Sequence, residues 1–437
     1  MSFNNPAKLV LLALAFPVNA WSQTASVDAN ELTILRQQIQ ALQQRLSELE
    51  QAQQAQQAEL AETKAAYPEE ERAQNQAVAA EEETEQTVSF GGAIRTNYSY
   101  TSYDDDSKNR GGDFDFDIFR INMDVNIDDV ILSGEIRFFD YMTAIKYAYA
   151  GYNFDEDWQV LVGIAPVPFG HRPYNSQNWF FSTNYYLGLE DDFDLGLLFR
   201  RKMADSWQLD LGFFKNDELG GVDGFVDNRA DRYSYDIVGI RGEDEGIFAD
   251  PATPAGEYNT FSGRLAYQIN AMGVDSQIGA SLLTGGIHGV EDKAGDYHAW
   301  AVHWQAEWHN WLLQLQHTQY QYDVGDAERM AVGAYSFFDS IAAEAKSTTF
   351  NLAYTFAVDW GPVSSLQVYN NYGLVYDKSD RSRNTLMNIT GLALAAGGLY
   401  TYFDFVTARN QPFVGGSSVG NDDDTEQRFN INIGYYF

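Results

Sequence analysis

Apolar and polar residues alternate along most of the chain from residue 88 onward. In the segment 119–127, the five odd-numbered residues from Phe119 to Ile127 are apolar and the four residues between them are polar. A period of two predicts a β-strand with one apolar and one polar face. The same alternation is found in 88–101, 131–140, 145–154, 158–165, 192–201, 206–215, 258–270, 274–285, 297–308, 311–322, 347–357, 364–376, 386–395, 397–409 and 427–437. Each such strand suits either a soluble sandwich or a membrane barrel, in which the apolar side faces lipid.

The connections between these segments distinguish the two architectures. Short turns are found at 128–129, 155–157, 309–310 and 359–361, and long charged or glycine-rich loops at 102–113, 166–191, 217–257, 324–346 and 410–426. Aromatic residues lie at strand ends, among them Trp158, Trp207, Trp308, Trp311 and Trp360. Short turns on one side, long loops on the other and aromatic girdles are typical of transmembrane barrels. The sequence therefore predicts an all-β fold, a transmembrane antiparallel β-barrel.

The strand number follows from the position of the two chain ends. The alternating segments number sixteen, and a further alternating segment lies at 233–241. Because both ends of such a barrel lie in the periplasm, the strand number is even. We therefore predict sixteen strands, with 233–241 inside a long outer loop between Asn216 and Tyr258; eighteen strands is the alternative. A sixteen-strand barrel leaves an aqueous interior, which indicates a channel.

The last predicted strand has a specific pattern. Phe429, Ile431, Ile433, Tyr435 and Phe437 alternate with other residues, and the chain stops on Phe437. This looks like the terminal strand that the outer-membrane insertion machinery reads. We therefore expect that machinery and outer-membrane lipids as partners.

The first 87 residues follow different patterns. Residues 1–20 read as an export signal, because Lys8 precedes a short apolar run and the spacing that a signal peptidase needs follows at either Val18-x-Ala20 or Ala20-x-Ser22. Within 28–64, the apolar positions step by three and four: Leu32, Leu35, Ile39, Leu42, Leu46 and Leu49. This heptad predicts a helical, periplasmic coiled coil that self-associates, although packing on the barrel is an alternative. Residues 65–87 form an acidic linker, and the barrel occupies 88–437.

Composition and charge narrow the functional classes. The chain has 28 Lys and Arg against 62 Asp and Glu, a formal net charge of -34 that opposes nucleic-acid binding. It has no cysteine, and therefore no thiolate metal site or cysteine nucleophile. The sequence has no His-Glu-x-x-His pair and no Gly-x-Ser-x-Gly elbow. His303 is predicted to point inward, too far from His309 for easy shared metal ligation. We therefore predict no enzymatic activity, no cofactor and no metal.

Basic residues are expected on the inner face of the barrel. If apolar positions face lipid, parity places six cations inside: Arg95, Arg120, Arg137, Lys146, Arg200 and Arg264. Five of the six come from the first six strands. This clustering predicts a basic stripe on the inner face that sets the selectivity of the channel. Ordinary solvated positions without a ligand are the alternative.

The loop 166–191 is the candidate constriction, because it follows the fifth strand and resembles the loop that narrows general porins. Its candidate residues are His171, Arg172, Tyr174, Trp179, Glu190 and Asp191, with Asp192 at its edge. Acids opposite a basic wall predict a transverse field. The aromatic residues suit packing against the wall or stacking on sugar rings.

Acid clusters mark three predicted outer loops. They comprise Asp104 to Asp106, Glu243 to Glu245 and Asp422 to Asp424. Such clusters suit a solvated surface or divalent cations that bridge lipopolysaccharide phosphates, and in either case they concentrate cations at the mouth.

The signal, the coiled coil and the sixteen-strand barrel together resemble trimeric Gram-negative porins that carry an N-terminal coiled coil. Phe119-Arg120 in the second strand and Pro168-Phe169-Gly170 after the fifth resemble the phosphate-selective porin O and P family, as does the acidic stretch from Gly188 to Asp192. The resemblance implies a homotrimer of separate pores with an inward third loop. We expect an outer-membrane pore for passive diffusion of small hydrophilic solutes. The alternatives are a specific channel for anions such as phosphate or for oligosaccharides, and a non-transport envelope tether.

Overall fold

The structure, a computed structural model, describes residues 86–204 and 206–437. The predicted export signal and coiled coil lie outside the described residues. Nineteen strands are found: β1 Gln86–Thr101, β2 Asp113–Ile127, β3 Val130–Phe138, β4 Thr143–Asn153, β5 Trp158–Pro166, β6 Phe193–Met203, β7 Trp207–Asp217, β8 Asp236–Ile240, β9 Thr253–Ala271, β10 Val274–Gly289, β11 Lys293–Trp308, β12 Trp311–Asp323, β13 Arg329–Ala334, β14 Phe337–Ala342, β15 Glu344–Trp360, β16 Val363–Tyr376, β17 Thr385–Ala396, β18 Leu399–Arg409 and β19 Glu426–Tyr436. Sixteen of them, all except β8, β13 and β14, form one antiparallel wall.

The wall closes on itself between its first and last strands. β1 pairs with β2 on one side and with β19 on the other, so that Ile94 lies opposite both Phe119 and Tyr435. β7 pairs with β9, and β12 pairs with β15, which leaves the three other strands outside the wall. The prediction of a sixteen-strand antiparallel barrel is therefore confirmed.

A small sheet lies among the long loops. β8 pairs with β13, β13 pairs with β14, and β8 also reaches the start of β9. The segment 233–241 thus lies in a loop, as predicted, and adds no wall strand. The segment 324–343 lies in a long loop, as predicted, but this loop contains the β13–β14 hairpin, which was not predicted. Small residues at Ala331, Gly333 and Ala334 weaken the apolar alternation there and hid the hairpin from the sequence pattern.

The predicted loop 102–113 contains a short helix, α1, at Asp105–Arg110. The Asp104 side chain caps it by accepting hydrogen bonds from the amides of Asp106 and Ser107. Across the described ranges 86–204 and 206–437, no helix has the length and apolar character that a membrane-crossing helix needs.

The two faces of the wall have opposite polarity. Apolar side chains such as Phe90, Val162 and Leu211 are exposed on the outer face. Polar side chains such as Asn351 and Asn430 are buried inside. A soluble sandwich would place these residues the other way round, whereas a lipid-facing barrel requires this arrangement. The five tryptophans singled out above lie at or beside strand ends on the side of the short turns, here called the turn end.

The opposite side, the loop end, carries the longer connections. They are L1 (102–112), L3 (167–192), L4 (218–252), L6 (324–343), L7 (377–384) and L8 (410–425). L3, L4 and L6 contribute Phe180, Tyr235 and Met330 to one buried apolar cluster, which also includes Leu283 of β10 and Tyr320 of β12. The loops therefore pack inside the wall and fill part of the barrel.

Candidate functional site

L3 crosses the interior of the barrel, and the Pro168-Phe169-Gly170 segment anchors its first half. The amide of Gly170 donates to Ser281 Oγ at 3.0 Å, and its carbonyl oxygen accepts from Arg264 Nε at 2.8 Å. The amide of His171 donates to Gln316 Oε1 at 2.9 Å. Gly170 has φ +60°, and a Cβ there would lie 2.4 Å from Gln316 Oε1. The left-handed φ and the close approach to β12 therefore both favour glycine at this position.

The middle of L3 reaches the far wall. Asn175 Nδ2 donates to Thr349 Oγ1 of β15 at 2.9 Å. Asn178 Nδ2 donates to Asn371 Oδ1 of β16 at 3.0 Å. L3 leaves from β5, the fifth wall strand, and β16 is the thirteenth. The loop thus spans the barrel, so its side chains divide the interior.

Two of the predicted constriction residues serve the internal structure of L3. Glu190 is buried and accepts from the amide of Asn175 at 2.9 Å and from Ser182 Oγ at 2.5 Å. Burial raises the pKa of its carboxyl group to about 7. Arg172 NH1 donates to the carbonyl oxygen of Val167 at 3.0 Å. Glu190 and Arg172 therefore hold the shape of the loop.

His171 is also buried against the wall. Its Nε2 lies 3.0 Å from the carbonyl oxygen of Leu315, and its ring centroid lies 4.9 Å from that of His303. Burial lowers the pKa of His171 to about 4, which favours the neutral ring. The inward direction of His303 was predicted from the strand alternation, whereas its proximity to His171 was not.

A buried ion pair joins the end of L3 to β4. Lys146 Nζ lies 2.8 Å from Asp191 Oδ2, and the two side chains are 5% and 7% exposed. Tyr233 of L4 donates its hydroxyl to the same oxygen at 2.6 Å. Asp191 thus joins L3, L4 and the wall at one point.

A central cavity of about 790 Å³ remains beside L3. Arg95, Arg120 and Arg137 line it from β1, β2 and β3, together with Arg428 from β19. Aromatic side chains line it as well, among them Tyr174 and Trp179 of L3, Tyr233 of L4 and Tyr335 of L6. The Arg137 guanidinium lies 4.1 Å from the centroid of the Tyr233 ring, so the cavity offers guanidinium groups in contact with aromatic surfaces.

The guanidinium groups of the first three strands share two acids. Arg95 Nε lies 2.7 Å from Asp117 Oδ2. Arg120 NH1 and Arg137 NH2 lie 3.3 Å and 2.6 Å from opposite oxygens of Glu135. Three cations thus face two carboxylates, and Arg428 adds a further positive charge. Anions passing through this cavity would meet an excess of hydrogen-bond donors.

The other predicted wall cations lie in different surroundings. Arg264 NH1 and Arg200 Nε lie 3.6 Å and 4.0 Å from the two oxygens of Asp210. Arg264 is buried, whereas Arg200 lines a separate cavity of about 600 Å³ at the turn end. The structure thus divides the six cations among the central cavity, the Lys146 ion pair and the surroundings of Asp210.

Several residues of the site were missed in the sequence. Arg428 belongs to the polar side of β19, so the parity argument would have placed it inside. Tyr233 and Tyr335 lie in loops, where no periodicity predicts direction. Asp192 lies away from the central cavity, beside Asp194 and Asp236, and no sequence pattern groups these three residues.

Comparison with known proteins supports the fold. No protein-family model and no curated protein matches the chain. Among solved structures, the outer-membrane channel DcaP of Acinetobacter baumannii is similar, with 12% identity, a TM-score of 0.53 and coverage of 80% of this chain and 97% of that one. OprB of Pseudomonas putida has 10% identity and a TM-score of 0.51, with 80% and 94% coverage. A loop L8 deletion mutant of OmpT, an outer membrane protein of Vibrio cholerae, has 12% identity and a TM-score of 0.50, with 80% and 99% coverage. The chain therefore shares the barrel fold of these proteins.

Proposed function

We propose that this protein is an outer-membrane porin through which small hydrophilic solutes diffuse passively. One observation supports this most strongly: a closed sixteen-strand wall is apolar outside, polar inside, and crossed by a loop that leaves a cavity lined by arginine and aromatic side chains. A barrel of this size is wide enough for an aqueous path, whereas a membrane anchor needs only about eight strands. In this proposal the predicted constriction residues of L3 and the cations beside them shape the path.

The proposal includes an orientation in the membrane. The turn end faces the periplasm and the loop end faces the outside, as in other barrels with unequal connections. The acid clusters then lie on the outer surface, where Asp105, Asp244 and Asp423 are exposed. They would concentrate cations there, and are available for divalent ions bound to lipopolysaccharide.

The arginine residues of the central cavity favour anion preference as the runner-up. Four guanidinium groups line the cavity, and those of the first three strands outnumber their acid partners. Guanidinium groups bind phosphate and carboxylate oxygens through paired hydrogen bonds. The aromatic side chains that line the same cavity suit sugar rings as well, so phosphate and oligosaccharides are both solutes to test. A tether without transport is the remaining alternative.

Single-channel recording in a planar bilayer tests the function. We expect stepwise conductance, with a reversal potential in a salt gradient that reports ion preference. Arg428→Gln should shift the reversal potential toward cations, because Arg428 lines the cavity. Arg383→Gln is the matched control, because its guanidinium pairs with Asp423 at 2.6 Å in an exposed position at the loop end.

Each outcome of this recording separates the candidates. Block by added phosphate or oligosaccharide would favour the specific channel. No conductance from correctly folded protein would refute the porin and leave the tether. Equal reversal potentials for Arg428→Gln and the wild type would show that the cavity does not control ion preference.

We also propose a homotrimer, supported by the apolar heptad predicted in 28–64 and by the resemblance to coiled-coil porins. Light scattering on the purified protein in detergent measures the protomer number. Conductance steps in groups of three would agree with three separate pores, whereas a monomer in both measurements would contradict this assembly.

A further inference from the structure

A second buried polar cluster lies away from the central cavity, where L3 ends and L4 begins. Asp192 ends L3 and Asp194 follows in β6, while Asp236 begins β8 inside L4. One carboxylate oxygen of each residue lies within 4.8 Å of those of the other two, and all three residues are buried. Glu218, also buried, starts L4 beside them. Four carboxylates from two loops and the wall therefore meet in one place.

The charges of this cluster do not balance. Six carboxyl groups surround it: Asp192, Asp194, Asp217, Glu218, Asp236 and Glu257. Among the described residues, the ion pairs to this group come from two arginines, Arg229 and Arg232. Burying ionised carboxylates without cations costs several kcal/mol each. The cluster therefore requires additional positive charge or bound protons.

Arg232 is already occupied by other acids. It is fully buried, and its NH2 lies 3.0 Å from Asp217 Oδ2. Its NH1 lies 2.6 Å from Asp236 Oδ2 and 3.4 Å from Glu218 Oε2. Arg229 contacts Asp217 as well. Neither arginine therefore compensates Asp192 or Asp194.

Unpartnered oxygens point to a ligand at this place. Asp194 is 3% exposed, and its Oδ1 has no hydrogen-bond partner among the described residues. Glu218, which is 9% exposed, accepts no hydrogen bond there either, and its Oε2 has only the 3.4 Å ionic contact with Arg232. Buried polar atoms in folded proteins are nearly always satisfied, so each such group calls for an ion, a water or a proton.

The geometry suits a hard divalent cation. Calcium takes six to eight oxygen ligands at about 2.3–2.6 Å. Two ligands of one such ion lie at most about 4.6–5.2 Å apart, and the three oxygens all lie within 4.8 Å of one another. Magnesium prefers about 2.0–2.1 Å and keeps several waters, so it suits this carboxylate-rich, buried place less well.

We propose that Asp192, Asp194 and Asp236 bind one Ca²⁺ ion, with Glu218 as an additional carboxylate ligand. The ion neutralises part of the buried charge and connects the end of L3 to β8 of L4. It thereby fixes two inward loops to each other at the start of β6. This site is separate from the arginine-lined cavity and does not depend on the transport function.

Equilibrium dialysis with ⁴⁵Ca²⁺ tests the site on the full-length protein in detergent after treatment with EDTA. We expect one tight Ca²⁺ per protomer at pH 7.5, and an affinity at least tenfold lower in Asp194→Asn and in Asp236→Asn. Asp250→Asn is the matched control, because Asp250 is an exposed acid of the same loop and lies outside the acid cluster at 243–245. Its Ca²⁺ affinity should equal that of the wild type.

A second measurement uses the wild type alone and covers the case in which the variants fail to fold. The temperature at which the barrel unfolds should rise with Ca²⁺ and fall with EDTA, since a ligand of the native state stabilises it by mass action. No saturable Ca²⁺ binding, or equal binding in Asp194→Asn and Asp250→Asn, would overturn the proposal in favour of a protonated cluster. Equal affinity for Mg²⁺ would overturn the assignment to calcium.

Discussion

The buried ion pair between Lys146 and Asp191 makes the packing of L3 testable. Lys146→Met keeps the length and the apolar stem of the side chain but removes the ammonium group. Asp191 then keeps the Tyr233 hydroxyl, 2.6 Å away, as its remaining side-chain donor. Because both partners of the pair are at least nine-tenths buried, water cannot replace the lost charge. L3 should therefore lose its firmest polar contact with β4.

The expected magnitude follows from burial. Removing one partner of a buried ion pair costs about 3–5 kcal/mol, because the other charge stays buried without compensation. That range is a factor on the order of 10² to 10⁴ in the unfolding equilibrium constant. The matched control is Lys346→Met, since Lys346 Nζ lies 2.9 Å from Asp377 in a pair with 35% and 61% side-chain exposure. An exposed pair contributes only about 0–1 kcal/mol.

Urea unfolding in detergent, followed by tryptophan fluorescence, measures both variants. Lys146→Met should lower the free energy of unfolding by several kcal/mol more than Lys346→Met. The double variant Lys146→Met/Asp191→Asn should recover most of the loss, because a neutral amide oxygen still accepts the Tyr233 hydroxyl. Equal losses for Lys146→Met and Lys346→Met, or no recovery in the double variant, would refute the reasoning.

Two further changes test other contacts of the inward loops. Gly170→Ala should lower the free energy of unfolding by about 1–3 kcal/mol, because its φ of +60° and the 2.4 Å approach to Gln316 both oppose a Cβ. Gly111→Ala, at φ +79° with open space around it, should show the backbone effect alone, so equal urea midpoints would contradict the clash. Burial raises the pKa of Asp339, which accepts from Ser417 Oγ at 2.5 Å, to about 6. The stability that comes from this raised pKa is present below about pH 4 and is lost as the pH rises to about 6. Asp339→Asn should therefore remove on the order of 2 kcal/mol from the change in the free energy of unfolding between pH 4 and 7, measured by urea unfolding. An unchanged pH dependence would contradict this assignment.

The wall could be predicted from the sequence because its two faces meet different media. In each strand, alternate residues face outward or inward, so a residue such as Phe119 or Arg120 reports its direction by parity alone. The lengths of the connections then separate the turn end from the loop end. Strand number, loop positions and the inward direction of Arg95, Arg120 and Arg137 followed from these local rules.

Strand ends and loop elements were less predictable. β9 starts at Thr253, five residues before the predicted strand, because its first residues pair with β8 above the wall. The β13–β14 hairpin was missed because its small residues lack an apolar alternation. β8, which pairs with both β9 and β13, lies within L4, so the local pattern of β9 and β13 contained no signal of this pairing.

The sequence by itself determined the barrel, and only the tertiary structure decided which side chains meet inside it. Asn178 bonds to Asn371, 193 positions away, and Asp192 meets Asp236 across two loops. The strand alternation indicates that a side chain points inward, but side chains from several strands and three loops share the interior of the barrel. Which residues become neighbours depends on how L3, L4 and L6 pack together. That packing arises from long-range contacts, which the period of a single strand does not encode.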